Sequence, residues 1–301
     1  MNTERAKNLT IIFLLFLNLM LISLLIIATP TFRISRTREA AILTLLEQNN
    51  ITLNAELIRR YRPMRPIAVS PSEHCNDLIA QTLLGDLYDV QIFEEFDRIV
   101  YTRNNEHTGE VTDHLEIQGS YFYIIYGNNW TGSISPVMNK EDAIALSDEF
   151  LESINHLFPD FLFYAITEDE HWGDFIVEYR RLYRNQIIYS DFIRFRIDEA
   201  GISKIDCHHV NVQGFEQTLT EIRPVDEALY ALILELQNMG AFVFGDITIN
   251  GIDIVYYQST AGFFDSSATT AEPCYRFYVS IGDLPGITII IDAATATVIS
   301  G

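Results

Sequence analysis

An uninterrupted apolar run near the N-terminus constrains this chain more than any other feature. Residues 9–28 read LTIIFLLFLNLMLISLLIIA and contain no charged side chain. As a helix, a run of this length covers about 30 Å, the thickness of the hydrocarbon core of a bilayer. A cleaved signal peptide is the alternative, but its apolar core is usually only about 7–15 residues long and ends at a pair of small residues. We therefore predict an uncleaved transmembrane signal anchor at residues 9–28, after a tail at residues 1–8.

Basic residues on both sides of this run leave its orientation open on charge alone. Arg5 and Lys7 precede it, whereas Arg33, Arg36 and Arg38 follow it closely, so the positive-inside rule does not decide between the two directions. A short tail, one span and a long folded domain favour a cytoplasmic N-terminus. We predict a single-pass protein of the cell membrane whose C-terminal domain lies outside the cytoplasm.

One amide interrupts the apolar run near its middle. Asn18 has no water to bond in the bilayer centre, and such a side chain tends to hydrogen-bond to another helix. Helical spacing places four apolar residues on the same stripe of the helix, namely Leu14, Leu21, Ile22 and Leu25. We predict that this stripe contacts a partner helix; an amide that is merely tolerated in a very apolar helix is the alternative.

The remainder of the chain is strongly acidic. Beyond residue 38 there are 15 basic and 40 acidic side chains in 263 residues. A charge of this sign repels phosphate backbones. We therefore do not expect the protein to bind nucleic acid through a broad basic surface. The 48% of hydrophobic residues suffices for a packed core.

The hydrophobic pattern predicts a stalk followed by repeated units. Residues 29–66 contain a helical pattern from Arg36 to Gln48 and two closely spaced prolines, which suggests a helical stalk and linker. Amphipathic helices then precede groups of strands in three predicted units, at residues 67–136, 137–222 and 223–301. Their helices are expected at 76–84, 139–157 and 224–238. Helices followed by consecutive hairpins indicate an α+β fold in which each helix packs on one face of an antiparallel sheet.

The predicted strands follow each helix closely. In the first unit they are 99–102 and 111–126, and in the second 161–166, 175–182, 186–197 and 201–212. In the third they are 242–244, 247–257, 274–281 and 287–291, before a terminal turn and strand. Alternation of apolar residues with aromatic and β-branched side chains supports these assignments.

The order of these pieces resembles the YycI family of membrane regulatory proteins. The resemblance rests on FLLFLNL in the apolar run, LLEQNNITL after it, VEYRRLYRNQIIYSDFIRFRIDEAGISKI in the second unit, and INGIDIVYYQ and EPCYRFYVS with GITIIIDAATATVISG at the end. The ending is also similar to PepSY modules. Tyr275 stands where the family usually has Trp, and Ala296 where it usually has Gly.

This resemblance implies a function based on protein contacts. It implies a membrane-anchored extracytoplasmic protein that modulates a sensor histidine kinase, similar to WalK of the WalK/WalR two-component system in cell-wall homeostasis, together with a YycH-like protein. No catalytic residue, metal ligand or cofactor is implied, and we predict that the protein is not an enzyme. The alternatives are an envelope enzyme that acts on wall polymer and a PepSY-like protease inhibitor or chaperone.

A few residues have types that could support chemistry. Cys207-His208-His209 and His74-Cys75 could supply metal ligands or a nucleophile with its base, but strand alternation separates His208 from its neighbours. Three cysteines cannot all pair within the chain. The sequence leaves open a single disulfide, from Cys207 either to Cys75 or to Cys274, and buried free thiols are the alternative. Two acidic runs, Glu94-Glu95-Phe96-Asp97 and Glu168-Asp169-Glu170-His171, lack the spacing of a calcium loop, and we expect solvated turns.

Overall fold

A computed structural model of the 301-residue chain describes residue 7 and residues 11–21, 32–71, 76–94, 97–105, 107–133, 136–137, 139–169, 173–258, 269–282 and 284–300. Residues 11–21 are helical. Among the described residues, no helix has both the length and the apolar character that crossing a membrane requires. The predicted span at 9–28 extends beyond the described residues at both ends.

The described residues after position 31 form four α-helices at the predicted places, namely α1 (Arg36–Gln48), α2 (Asn76–Leu84), α3 (Lys140–Ile154) and α4 (Val225–Asn238). Ser35 caps α1 by accepting a hydrogen bond from the Arg38 amide at 3.2 Å. Asn139 caps α3 in the same way, through the Asp142 amide at 2.8 Å. Such oxygens satisfy amides that have no partner within the first turn. Pro224, expected as the first helical residue, is instead the residue before α4.

The described strands are β1 (Phe32–Arg33), β2 (Ile51–Leu53), β3 (Arg60–Tyr61), β4 (Ile67–Pro71), β5 (Asp89–Phe93), β6 (Arg98–Asn104), β7 (Val111–Gln118), β8 (Tyr121–Trp130), β9 (Phe161–Glu168), β10 (Phe175–Tyr183), β11 (Gln186–Asp198), β12 (Gly201–His208), β13 (Val210–Phe215), β14 (Ile247–Tyr257), β15 (Thr270–Ile281), β16 (Leu284–Asp292) and β17 (Val298–Ser300). All except β1 and β3 belong to one mixed sheet. Helices with a large sheet confirm the predicted α+β class.

The same local plan occurs three times along the chain. Helix α2 precedes the meander β5 to β8, α3 precedes β9 to β12, and α4 precedes β14 to β17. The first two meanders join edge to edge, because their last strands β8 and β12 pair antiparallel, with Ile124 opposite Ile205. Units one and two therefore share one continuous antiparallel sheet, and α2 and α3 cover the same core.

The third unit attaches to this sheet through a short parallel contact. Strands β11 and β14 meet at Ile188 and Tyr256. A second connection runs through β4, which pairs with β13 on one side and with β15 on the other. Few backbone hydrogen bonds therefore join the second unit directly to the third, and the contact between these units depends on side chains.

The segment predicted as a stalk packs into the third unit. Strand β2 extends the sheet beside β14, with Ile51 opposite Ile247, and Ile42 and Leu46 of α1 lie in the same core as α4. Arg38 of α1 also donates to Asp226 at the start of α4, at 2.7 Å. The apolar face of α1 is the physical reason, since it would otherwise remain in water. The boundaries of the three units, at residues 67–136, 137–222 and 223–301, remain predictions from the sequence.

Several local predictions differ from the structure. Strand β5 was not predicted, and the predicted strand 111–126 is a hairpin whose turn contains Gly119 at φ +57°. Residues 242–244 lie in or next to a 3₁₀ turn (Ala241–Val243), because Gly240 ends α4 with a left-handed backbone. The predicted strand 201–212 is broken at His209, where the chain passes from β12 in the large sheet to β13 beside β4.

Replacing Leu46 with Ala tests whether α1 belongs to the folded core. Leu46 is 1% exposed, whereas Leu43 on the same helix is 38% exposed. Leu46→Ala should lower the free energy of unfolding by about 2–5 kcal/mol, because it leaves a cavity in the third unit. Leu43→Ala, the matched control, should cost less than about 1 kcal/mol. Equal small losses in chemical denaturation of the two variants would contradict the packing of α1.

Candidate functional site

The stripe predicted to contact a partner helix lies partly within the described residues. Leu14, Asn18 and Leu21 fall on the helical residues 11–21, whereas Ile22 and Leu25 lie outside the described residues. Every residue from 11 to 21 is exposed, with Leu14 at 49% and Leu21 at 53%. A helix that is apolar on all sides is normally covered, by protein or by lipid. This helix is therefore a candidate contact surface.

The residues Cys207, His208 and His209 lead to a second candidate, which lies inside the fold. In the pairing of β10 with β11, Arg180 is opposite Phe192 and Arg181 is opposite Ile188. The three intervening residues of β11, Tyr189 to Asp191, form a bulge. Bulges redirect side chains, and here Ser190 and Asp191 become fully buried. We call Arg181, Ser190, Asp191, His208 and His209 the buried polar cluster.

Each member of the buried polar cluster has a partner. The Asp191 carboxylate bonds His209 Nδ1 at 3.1 Å and lies 3.4 Å from the guanidinium of Arg181. His208 Nδ1 donates to the Ser190 carbonyl at 2.5 Å, which fixes the proton on Nδ1. Ser190 Oγ accepts the amide of Gln258, just after β14, at 3.0 Å. The cluster thus connects the shared sheet to the third unit.

Strand alternation separates His208 from Cys207 and His209, as predicted. Cys207 lies in the core beneath α2 and α3, and the ring of His209 contacts Phe158 and Phe161, with centroids at 5.4 Å and 5.6 Å. His208 instead bonds Ser190. Cys207 and Cys274 are free, buried thiols, so no Cys207–Cys274 bridge forms. His74 and Cys75 lie outside the described residues.

The Asp191–His209 pair resembles the orienting half of a catalytic triad, but its surroundings leave little room. The cavity next to His209 measures about 20 Å³ and is bordered by Ser120, Tyr121 and Phe158 among others. That volume fits about one water molecule. The arrangement can hold a buried carboxylate in place, and it offers no space for a substrate within the described residues.

A layer of arginine and tyrosine side chains strengthens the same connection, and the sequence analysis did not find it. Arg180 of β10 stacks on Tyr189 at 4.0 Å, and Arg276 of β15 lies 5.4 Å from the same ring. Glu178 accepts hydrogen bonds from Arg180 and Arg194 at 2.7 Å and 2.8 Å. Burial alone would raise the pKa of Glu178, but these two arginines lower it. The one available signal was the pair Arg180-Arg181 inside a predicted strand.

The acidic runs form no metal site in the described part of the chain. Asp169 pairs with Arg196 at 2.7 Å, and Arg196 also reaches Asp174 at 3.3 Å, so this turn is held by ion pairs. Residues 95–96 and 170–171 of the two runs lie outside the described residues. Among the described residues, no group of three or more His, Cys, Asp or Glu side chains is arranged to hold a metal.

Comparison with known proteins adds a likeness of fold. No family model matches the sequence, and no curated protein matches it. The crystal structure of an uncharacterized protein from Eubacterium rectale ATCC 33656 is similar, with a TM-score of 0.51 and 12% sequence identity over 83% of this chain and 90% of that chain. At this identity the likeness concerns the fold alone, and the resemblance to the YycI family stays a prediction.

The pH dependence of stability tests the role of His208. Burial disfavours the imidazolium and lowers the pKa of His208, although Asp191 opposes this. Below about pH 6.5 the unfolded chain binds a proton that the folded chain does not, so stability falls as the pH falls, by up to about 1.4 kcal/mol per pH unit. His208→Asn retains a donor for Ser190 and should remove this component from denaturation curves between pH 7.5 and 5.5.

The matched control is His156→Asn, because His156 is exposed. It should keep the pH dependence of the parent. If His208→Asn also keeps it, His208 does not titrate as a buried histidine.

Thiol reactivity tests whether Cys207 acts as a structural or a reactive residue. Burial raises the pKa of both Cys207 and Cys274, and a thiol in this state is a poor nucleophile. In a Cys75→Ser background, the native protein should therefore react with no equivalent of a thiol reagent, and the denatured protein with two. Rapid labelling of the native variant would contradict this assignment.

Proposed function

We propose that the protein is a membrane-anchored regulator that acts through protein contacts. The single observation that carries this proposal is the helix at residues 11–21, which is exposed along its length and apolar except for Asn18. Water is an unfavourable environment for such a surface, so lipid or a partner helix must cover it. The folded units behind it then lie on one side of the membrane, which we take to be outside the cytoplasm.

The partner that we propose is a sensor histidine kinase of a two-component system, similar to WalK, together with a YycH-like protein. The resemblance to the YycI family supports this choice. Three consecutive units, each with a helix followed by a four-stranded meander, are compatible with the PepSY-like modules that the same resemblance implies. The buried polar cluster takes part in joining the units, which supports a role in contacts rather than in catalysis.

Replacing Asn18 with Leu tests the contact through the membrane helix. If the amide bonds to a partner helix, Asn18→Leu should weaken association by about 0.5–2 kcal/mol, which is a twofold to thirtyfold change in the equilibrium constant. Insertion should survive, because Leu is more apolar than Asn. The measurement is co-purification of the kinase with parent and variant at equal expression, with a reporter of kinase output.

Phe16→Leu is the matched control, because Phe16 lies about 200° around the helix from Asn18. It should leave both readouts unchanged. If an unrelated transmembrane helix in place of residues 9–28 still captures the kinase and alters its output, the helix is an anchor only. If the parent captures an extracytoplasmic protease and no kinase, the PepSY-like inhibitor is the better assignment.

A further inference from the structure

Four arginines form a surface at the base of the third unit, directly after the apolar run. We call Arg33, Arg36, Arg59 and Arg60 the arginine surface. Strands β1 and β3 place Arg33 directly opposite Arg60, and the Ile34 amide bonds the Arg59 carbonyl at 3.1 Å. Two open grooves of about 450 Å³ and 520 Å³ share Arg33 and Arg59 in their walls. The four side chains are therefore neighbours.

The positive charge of this surface exceeds what its own carboxylates cancel. Glu39 accepts two hydrogen bonds from Arg59, at 2.7 Å and 3.0 Å, and Glu56 lines the second groove. In the part of the chain that the structure describes, Arg33, Arg36 and Arg60 are exposed and form no ion pair. Like charges directly opposite each other across a strand pair are destabilising. Glu39 attracts Arg33 and Arg36 as well as Arg59, but one carboxylate does not balance these three arginines, so a further anion would stabilise the pair of Arg33 and Arg60.

This surface contrasts with the remainder of the molecule. Residues 32–66 carry seven arginines and three acidic side chains, whereas residues 67–301 carry 11 basic and 37 acidic side chains. Near an anionic plane such a charge distribution orients the protein, because the basic end is attracted while the acidic body is repelled. This asymmetry of charge favours contact between the basic end, residues 32–66, and an anionic surface.

An aromatic pair lies beside the arginines and suits a membrane interface. Phe32 and Tyr61 stack with ring centroids 5.6 Å apart, and Phe32 is 44% exposed. Aromatic side chains of this kind are enriched at the level of lipid headgroups. Three residues, 29–31, separate Ala28, the end of the apolar run, from Phe32, so the Cα atoms of Ala28 and Phe32 are at most about 14 Å apart.

We propose that the arginine surface binds the phosphate groups of anionic phospholipids in the membrane that the apolar run enters, and so holds the base of the folded part against that membrane. The proposal rests on the anchoring proposed above, because the anchor brings the surface to the lipid. Each arginine near the surface of an anionic bilayer favours the bound orientation by about fivefold. Removal of two arginines should therefore reduce the ratio of bound to free orientation by about thirtyfold.

The test uses the full chain in nanodiscs of phosphatidylcholine alone or with phosphatidylglycerol. A fluorophore on Thr37→Cys reports proximity to lipid in a Cys75→Ser background, through quenching by headgroup-labelled nitroxide lipid; Thr37 is exposed beside Arg36. We expect strong quenching only with phosphatidylglycerol, its loss at high salt, and a fall of about thirtyfold in the ratio of bound to free orientation in Arg33→Gln/Arg36→Gln.

Lys140→Gln/Arg184→Gln is the matched control, because it removes the same charge from two exposed residues of the second unit. It should change the ratio by less than twofold. Equal quenching in both lipids, or in the parent and Arg33→Gln/Arg36→Gln, would overturn the proposal while the protein still co-purifies with the disc. Saturable binding of inorganic phosphate to discs without anionic lipid, lost in the same variant, would overturn it in favour of a free anion.

Failure of the chain to remain with either kind of disc would contradict the anchoring itself. That result removes the premise of the lipid proposal, and it is distinguishable from the outcomes above because no quenching measurement on the disc would then be obtained.

Discussion

The burial of one carboxylate controls how this chain is assembled. Asp191 is fully buried where β11 bulges, and it is compensated by Arg181 and His209. Removing one partner of such a buried charge typically costs about 3–5 kcal/mol, so the bulge, the end of β12 and the position of His209 are mutually dependent. The neighbouring Ser190 bonds the chain just after β14. Because the backbone contact between β11 and β14 is short, these polar bonds and the arginine–tyrosine layer hold the third unit in place.

Periodicity alone predicted the elements whose apolar residues recur at regular spacing. Helix α4 and strands β10, β11 and β14 agree with the sequence-based bounds to within about one residue, because their apolar faces repeat regularly over nine or more residues. The break at His209 was not predictable in this way, since it depends on Asp191, which is distant along the chain. The bounds of α1 were predicted, but its packing was not, because its apolar face contacts α4, a helix almost 190 residues further on. The strand break at His209 and the packing of α1 therefore depend on contacts between residues that are distant along the chain, which a local sequence pattern does not reveal.

The candidate site residues differ in the same way, because their exposure was not evident from the sequence. Leu14, Asn18 and Leu21 are exposed, like every residue from 11 to 21, whereas Cys207, His208 and His209 are part of the interior. A sequence shows which side chains are reactive in principle, but it does not show the burial and hydrogen bonds that assign them to structure. The proposed function therefore belongs to two surfaces, namely the apolar helix and the arginine surface.

We have proposed that the folded units lie outside the cytoplasm, tethered by the apolar run. The most direct test of this proposal is protease added to intact cells of a single-membrane bacterium from which the wall has been removed, with immunodetection of the C-terminal units and of a cytoplasmic marker. The account predicts that the folded units are digested while the marker survives. Survival of the folded units in intact cells, with digestion only after lysis, would contradict it.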